Sequence, residues 1–472
     1  MTGTGSDTGA PRAGAVNEGD GASSVAVDYG KTAGFLSIGV GLTGVITYTY
    51  FFIASHVLSK PDYGQVTVLW SAVFITVSTL YRPVDQLLSR HISEHLARGE
   101  TDREPVRVAA KIQLGLALIF LAAALALHNP IQNGLMEGNK YLYWIYVGAV
   151  LFYAASYYAR GYLAGHRRFG LFTALILSES CFRTVFAVLV AVGLASGQSA
   201  VAVGILAAPA LSLMVVPFAF AHQARSQPVA VQVASEAEEF SFTHGAGFAA
   251  SVLLIMFSEQ TFLNAGPLIV RGLEGAAAAG FIFNVLMIAR APLQLFQAVS
   301  TSLLPHLTSL HTGDEEGSEE AFHHSVRLVL LAVAGFTAVV ALVVLVAGPA
   351  LMQLAFSKKF TYDRPGLLLV TLGMGLYLSA VTVNQACVAQ GQVRRSSARW
   401  IGCAAFFIAW CFLPLISNEF RRVEIGFALT AGLLLSLLYL IYRRPRERPE
   451  DVPEPGSTAE LEARLAAADE SG

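Results

Sequence analysis

Charge is the scarcest commodity in this 472-residue chain: Asp, Glu, Lys and Arg together make up 14% of it, against about 25% in an ordinary soluble domain. Too little charge remains to clothe a protein that must stay in water. The formal net charge of −2 gives no footing for a nucleic-acid partner. Cysteine is equally sparse. The four residues, Cys181, Cys387, Cys403 and Cys411, lie in or beside apolar stretches and form no CxxC, so neither a disulfide framework nor a metal centre is built from them. No GxxxxGK[ST] is present, which excludes ATP hydrolysis by a P-loop, and GxSxG and HExxH are missing too. His91 and His95 have the i,i+4 spacing of a metal pair. They sit among Arg90 and Arg98 with Glu94 as the one nearby carboxylate, and two ligands rarely make a site. The first 28 residues, rich in Gly, Ala, Ser and Thr, have no apolar signal core and read as an unstructured tail. The first spanning helix then serves as an uncleaved insertion signal.

What the chain has in abundance is long apolar runs. Hydrophobic residues are 54% of the sequence, gathered into about a dozen stretches of roughly 20 residues, each enough helix to cross a hydrocarbon core of ~30 Å. Residues 328–347 carry no charge at all. In lipid a segment must satisfy its own backbone, so these stretches are helices. The expectation is an all-α polytopic membrane protein of about 12 transmembrane helices, near 33–57, 65–88, 107–128, 141–164, 170–196, 199–222, 244–270, 276–305, 325–352, 365–389, 397–417 and 423–442. Basic residues are distributed unevenly between the two sets of gaps, about 19 on one side and about 8 on the other. The richer side carries Arg90, Arg98, Arg167, Arg168, Arg394 and Arg395. The positive-inside rule makes it cytoplasmic, with both termini inside the plasma membrane. The longer gaps on that side, 223–243 and 307–324, are acidic. They read as solvated linkers, or as docking surfaces for a partner enzyme. The Arg-rich stretch after Tyr442 suits anionic membrane lipids.

The two halves echo each other. Ala33-Gly34-Phe35 is matched by Ala246-Gly247-Phe248, Arg82-Pro83 by Arg290-Ala291-Pro292, and Gly165 with its trailing arginines by Gly391 with Arg394 and Arg395. The offsets, 213, 208 and 226 residues, are similar and in order. The expected organisation is a cytoplasmic tail (1–30), a six-helix bundle (31–222), a linker (223–243), a second six-helix bundle (244–442) and a tail (443–472). An even number of spans per half makes the repeat parallel, and such pseudo-symmetric bundles enclose a central cavity whose rocking gives alternating access.

These motifs, with the Leu58-Ser59-Lys60-Pro61-Asp62-Tyr63-Gly64 turn and the Ser302-Leu303-Leu304-Pro305 end of the eighth span, resemble the polysaccharide (lipid-linked oligosaccharide) flippases of the multidrug/oligosaccharidyl-lipid/polysaccharide exporter superfamily. The resemblance covers roughly residues 30–442. It implies translocation of a polyprenyl-pyrophosphate-linked glycan by alternating access, without enzymatic chemistry and without a bound cofactor beyond Na⁺ or H⁺ coupling. Under this resemblance, a partner docking on the acidic gaps would be a polysaccharide-assembly enzyme. One departure stands in the seventh span, where the family often carries Asp and this chain has Glu259.

Ionisable groups within spans are costly and mark cavities or partners. Six stand out: Arg82, Asp85, Glu179, Arg183, Glu259 and Arg290. Glu179 and Arg183, four apart, share a helix face and are expected to pair; Arg82 and Asp85, three apart, have the same opportunity. Glu259 and Arg290 have no opposite charge nearby on their own helices, so each needs a partner from elsewhere, from each other or from a ligand. Guanidinium groups hold phosphate by paired charge-assisted hydrogen bonds, which makes Arg290, Arg82 and Arg183 the candidate phosphate-binding residues. Asn284 and Gln294 are candidate sugar-binding neighbours, and Glu259, Glu179 and Asp85 are the candidate ion-coupling carboxylates. An ion-coupled multidrug exporter of the same superfamily is the alternative, favoured by a carboxylate-dominated cavity. A membrane polysaccharide polymerase is opposed by the short outer gaps, which leave no loop for catalytic residues.

Overall fold

The structure, a computed structural model, describes residues 18–99, 103–217, 242–309 and 318–443. Side chains are described for all of these except 18–37, 97, 242–249, 293–309 and 318–321. Every regular element among the described residues is helical. In chain order the α-helices are α1 (Glu18–Val57), α2 (Lys60–Leu80), α3 (Arg82–Ala97), α4 (Arg103–Ala126), α5 (Lys140–Gly165), α6 (Phe169–Ala191), α7 (Gly197–Ser212), α8 (Phe242–Glu274), α9 (Ala276–Ser309), α10 (Ser318–Phe356), α11 (Arg364–Ala389), α12 (Val393–Phe412) and α13 (Glu419–Tyr442). Ten segments are long and apolar enough to cross a membrane by length and composition, with α2 and α3 counted as one. The described apolar part of α9, Ala276–Pro292, is shorter. Helix α12 has Arg394, Arg395 and Arg399 in its first two turns, which lowers its hydropathy.

Local chemistry sets the helix starts. The Ser59 side chain accepts the Asp62 amide at 3.3 Å, and its hydroxyl donates to the Asp62 carboxylate at 2.6 Å. Asn139 caps α5 through Tyr141 and Leu142 (3.0 and 3.2 Å), and Asn418 caps α13 through Arg421 at 3.0 Å. These side chains satisfy amides that a helix start leaves without partners. The second span departs from the sequence expectation. It is two helices, broken at Tyr81 and running on to Ala97. Pro83 has no N–H to donate back to the preceding turn, so the helix restarts at Arg82. Helix α1 is also longer than expected, beginning at Glu18 inside the segment read as a tail. Residues 1–17, the linker 223–241, the acidic segment 310–317 and the tail after 443 lie outside the described residues.

The internal repeat is visible in which helices touch. In the first half α1 packs on α6, α6 on α7, α7 on α5, and α5 on α4. In the second half α8 packs on α12, α12 on α13, α13 on α11, and α11 on α10. The order of neighbours is the same in the two halves. They meet along a seam made by α1 and α2 against α8 and α9. Gly64 makes that seam possible: a Cβ there would lie 1.8 Å from the Ala276 carbonyl oxygen, and one at Gly280 would lie 3.1 Å from the Gly64 Cα.

Candidate functional site

Helices alternate in direction, so the bundle has a Lys60 end and an end rich in arginine, where α3 and α5 finish. Direct contacts across the seam cluster toward the Lys60 end. The Lys359 ammonium donates to the Leu58 carbonyl at 3.2 Å, Arg271 pairs with Glu137 at 3.6 Å, and Lys60 lies over the Phe281 ring. The Tyr63 hydroxyl donates to Asn284, and the Tyr63 ring meets Phe360 with centroids 5.2 Å apart. Deeper in, Phe51 meets Phe283 at 4.6 Å and the Tyr48 hydroxyl donates to the Met287 carbonyl. None of these contacts lies beyond Met287 toward the Arg-rich end.

The unpartnered charges begin where these contacts stop. Arg290, one turn past Met287 on α9, is half-buried and makes no hydrogen bond or ion pair with a described residue. Its electrostatic neighbours are the phenols of Tyr48, from the first half, and Tyr377, from the second. Glu259 on α8 and Arg82 at the start of α3 are in the same condition, half-buried with no direct partner among the described residues. Across the seam Arg82 is the cation that acts on Glu259. Tyr377 feels Glu259, Arg290 and Arg82 together, so the four side chains form one group. The pairing of Glu259 with Arg290 that the sequence left open is not seen. The Tyr81 break instead swings Arg82 toward Glu259.

Glu179 and Arg183 behave differently. They pair at 2.9 Å, as their spacing predicts, inside a closed network. Glu179 also pairs with Arg160 of α5 and accepts from Tyr153 at 2.8 Å, while Arg183 lies over the Trp70 ring at 4.6 Å. Arg183 is only 2% exposed and Glu179 only 4%. The Arg183 Nη2 donates to Glu179 and Tyr153. Asn284 is 0% exposed and its carbonyl oxygen is taken by Tyr63, so it serves the seam. Asp85 makes no direct bond to Arg82 but feels both Arg82 and Arg160. The Gln294 side chain lies outside the described residues.

Glu179 is the support on which two buried guanidiniums rest. Removing one member of a buried ion pair costs about 3–5 kcal/mol because a charge is left uncompensated. Glu179→Leu is therefore expected to lower the thermal unfolding midpoint in detergent by several degrees. An unchanged midpoint would mean that Arg160 and Arg183 find other partners.

Three features of this region escaped the sequence. Arg160 belongs, by the positive-inside reading, to the basic residues of the Arg-rich side. Its position within the 141–164 stretch was the available signal. The Tyr63–Asn284 bond spans 221 residues and has no local signature. At the Lys60 end of the second half, Arg421 bridges Asp363 and Glu424 (2.9 Å to the latter), and the Tyr362 hydroxyl donates to Glu424. Burial and the Glu424 carboxylate hold the Tyr362 phenol above its ordinary range, which keeps it a donor.

No protein-family model and no curated protein matches the chain. Solved structures do match. A multidrug resistance MATE family transporter of the MOP superfamily, in an inward-facing conformation, superposes with a TM-score of 0.59 at 13% identity, over 87% of this chain and 97% of that one. An outward-facing conformation of such a transporter gives 0.54 at 16%, over 88% and 95%. A eukaryotic MATE transporter gives 0.58 at 13%, over 88% and 95%. At these identities the likeness is one of fold.

Proposed function

We propose that this chain is an alternating-access exporter whose cargo is an amphiphile with a phosphate-bearing head, of the class of polyprenyl-pyrophosphate-linked glycans. Two bundles that touch along one seam, with the fold of MATE transporters, support transport by rocking. The cluster of direct contacts toward the Lys60 end supports a state shut there. The slightly better superposition on the inward-facing structure supports the same state, and the excess of arginine supports a cytoplasmic placement of the other end. Both termini then lie inside the cytoplasmic membrane.

The observation that carries the cargo class is Arg290. It has no partner among the described residues, and a guanidinium deep in a span is costly unless a ligand uses it. Its planar fork fits two phosphate oxygens at once. Arg82, which likewise has no direct partner among the described residues, stands across the seam to share the charge, and the phenol of Tyr377 can donate to phosphate or sugar oxygens.

A second reading is supported by the neighbours themselves, two of which are named multidrug resistance transporters. On that ground alone an ion-coupled exporter of cationic amphiphiles is better supported than a glycan flippase, and Glu259 is the carboxylate such an activity would use. Proteoliposomes separate the two. One leaflet is loaded with a tagged polyprenyl-pyrophosphate glycan, and its exposure to an external glycosidase is followed beside the efflux of a cationic dye. Glycan exposure without dye efflux supports the first reading, and the reverse supports the second. If Glu259 couples export to H⁺ or Na⁺, Glu259→Gln will export at a rate that no longer responds to the ion gradient. An unchanged ion response removes Glu259 from coupling.

A further inference from the structure

A cavity of about 440 Å³ opens between α3, α5 and α6 at the Arg-rich end of the first half. It lies within the size range of small-ligand sites. Three guanidiniums line it, those of Arg82, Arg90 and Arg160, with the hydroxyl-bearing Ser89 and Ser93 and one carboxylate, Asp85. Close backbone contacts build it: a Cβ at Gly161 would lie 2.6 Å from the Asp85 carbonyl oxygen, and one at Gly165 would lie 2.8 Å from the Ile92 side chain. The walls are therefore fixed by α3 and α5 lying almost backbone to backbone.

The charges are arranged for an anion. Arg160 gives one nitrogen to Glu179, yet its Nε is buried without a hydrogen-bond partner. Arg90, at the rim of the cavity, pairs with Glu94 at 2.6 Å. Arg82 has no direct partner among the described residues. Asp85 is the opposing charge. It bonds directly to none of the arginines, and both Arg160 and Arg82 act on it through space. Behind Arg160, the Glu179 charge is balanced by Arg183. The cavity is thus left with more guanidinium donors than it has acceptors to satisfy them.

We propose that this cavity is a second anion site, a vestibule that takes a diphosphate head group before it reaches Arg290, with Arg82 as the residue common to both. Arg82 lines the vestibule on one side and acts on Glu259 across the seam on the other. A head group held by Arg90 and Arg160 passes to Arg290 by exchanging ligands around Arg82, so its charge never stands alone in the span. The proposal rests on the exporter reading for its role in transport, but the binding itself does not.

The test uses full-length protein in nanodiscs of zwitterionic lipid, with inorganic pyrophosphate and a short isoprenyl diphosphate as probes in titration calorimetry. Ser89→Phe fills the cavity without removing a charge, and Arg90→Gln removes one that Glu179 does not need. Both variants are expected to weaken pyrophosphate at least tenfold, while Arg290→Ala changes it less than twofold. Pyrophosphate should compete with the isoprenyl diphosphate, and added phosphatidylglycerol should not. Pyrophosphate binding untouched by Ser89→Phe, or lost only in Arg290→Ala, overturns the vestibule. Displacement by phosphatidylglycerol assigns the cavity to a structural lipid and overturns its place on the path. A protein that binds pyrophosphate through Ser89 and Arg90 yet moves no glycan would keep the site and sink the glycan reading.

Discussion

Arg290→Ala is expected to reduce glycan export to background while the protein inserts and folds normally. The effect on transport follows from the missing partner. If a phosphate is what satisfies this guanidinium, truncation removes a desolvated, charge-assisted contact, a loss of about 3 kcal/mol or more, which is on the order of a hundredfold in rate. Arg290→Lys keeps the charge and loses the fork, so it is expected to recover only part of the activity. The effect on stability has the opposite sign from that of Glu179→Leu. Glu179 supports two buried guanidiniums, whereas Arg290 supports no described residue, so its loss orphans no other charge. The thermal midpoint of Arg290→Ala should therefore match or exceed the wild type. Comparing export with unfolding in the two variants distinguishes a ligand-binding charge from a structural one. Normal export by a well-folded Arg290→Ala protein would remove the phosphate role.

The spans were legible because the bilayer imposes a length and an apolar composition that no tertiary contact overrides. The repeat was legible at the turns, and less faithfully. Gly391 takes a left-handed conformation after α11 (φ 77°), and the equivalent place after α5 is filled by Arg167 (φ 55°), not by Gly165. Gly165 instead lies against α3, a role the matching of motifs did not reveal. Among the charges, the local pair was readable and the distant ones were not. Glu179 and Arg183 are one helical turn apart, a spacing with a single geometric meaning. Arg82 and Glu259 are brought to the same region by the break at Tyr81 and by the docking of α2 and α3 on α8, and nothing in either residue's own neighbourhood specifies that. The seam, too, depends on a glycine whose importance appears only when Ala276 is placed beside it.

That glycine gives the second large effect. In an ordinary helix, glycine to alanine is stabilising by about 0.5–1 kcal/mol. Gly64→Ala is expected to do the reverse for the shut state of the Lys60 end, because its Cβ would fall 1.8 Å from the Ala276 carbonyl oxygen and 2.4 Å from its carbon. A backbone cannot swing aside as a side chain does, so α2 and α9 must part, taking the Tyr63–Asn284 and Lys359–Leu58 bonds with them. A penalty of about 3 kcal/mol would raise an open state holding about 1% of the molecules to more than half. The readout is the distance between spin labels on Ser196 in the first half and Thr361 in the second, both exposed at the Lys60 end, in a background without native cysteines. Gly64→Ala should lengthen it and slow export, since a gate that cannot shut breaks the alternation. Gly402→Ala, where a Cβ meets nothing within 4 Å, should change neither. An unaltered distance in Gly64→Ala would mean that the seam yields locally and is not the gate. A lengthened distance with full export would mean that rocking of the two halves is not what limits transport.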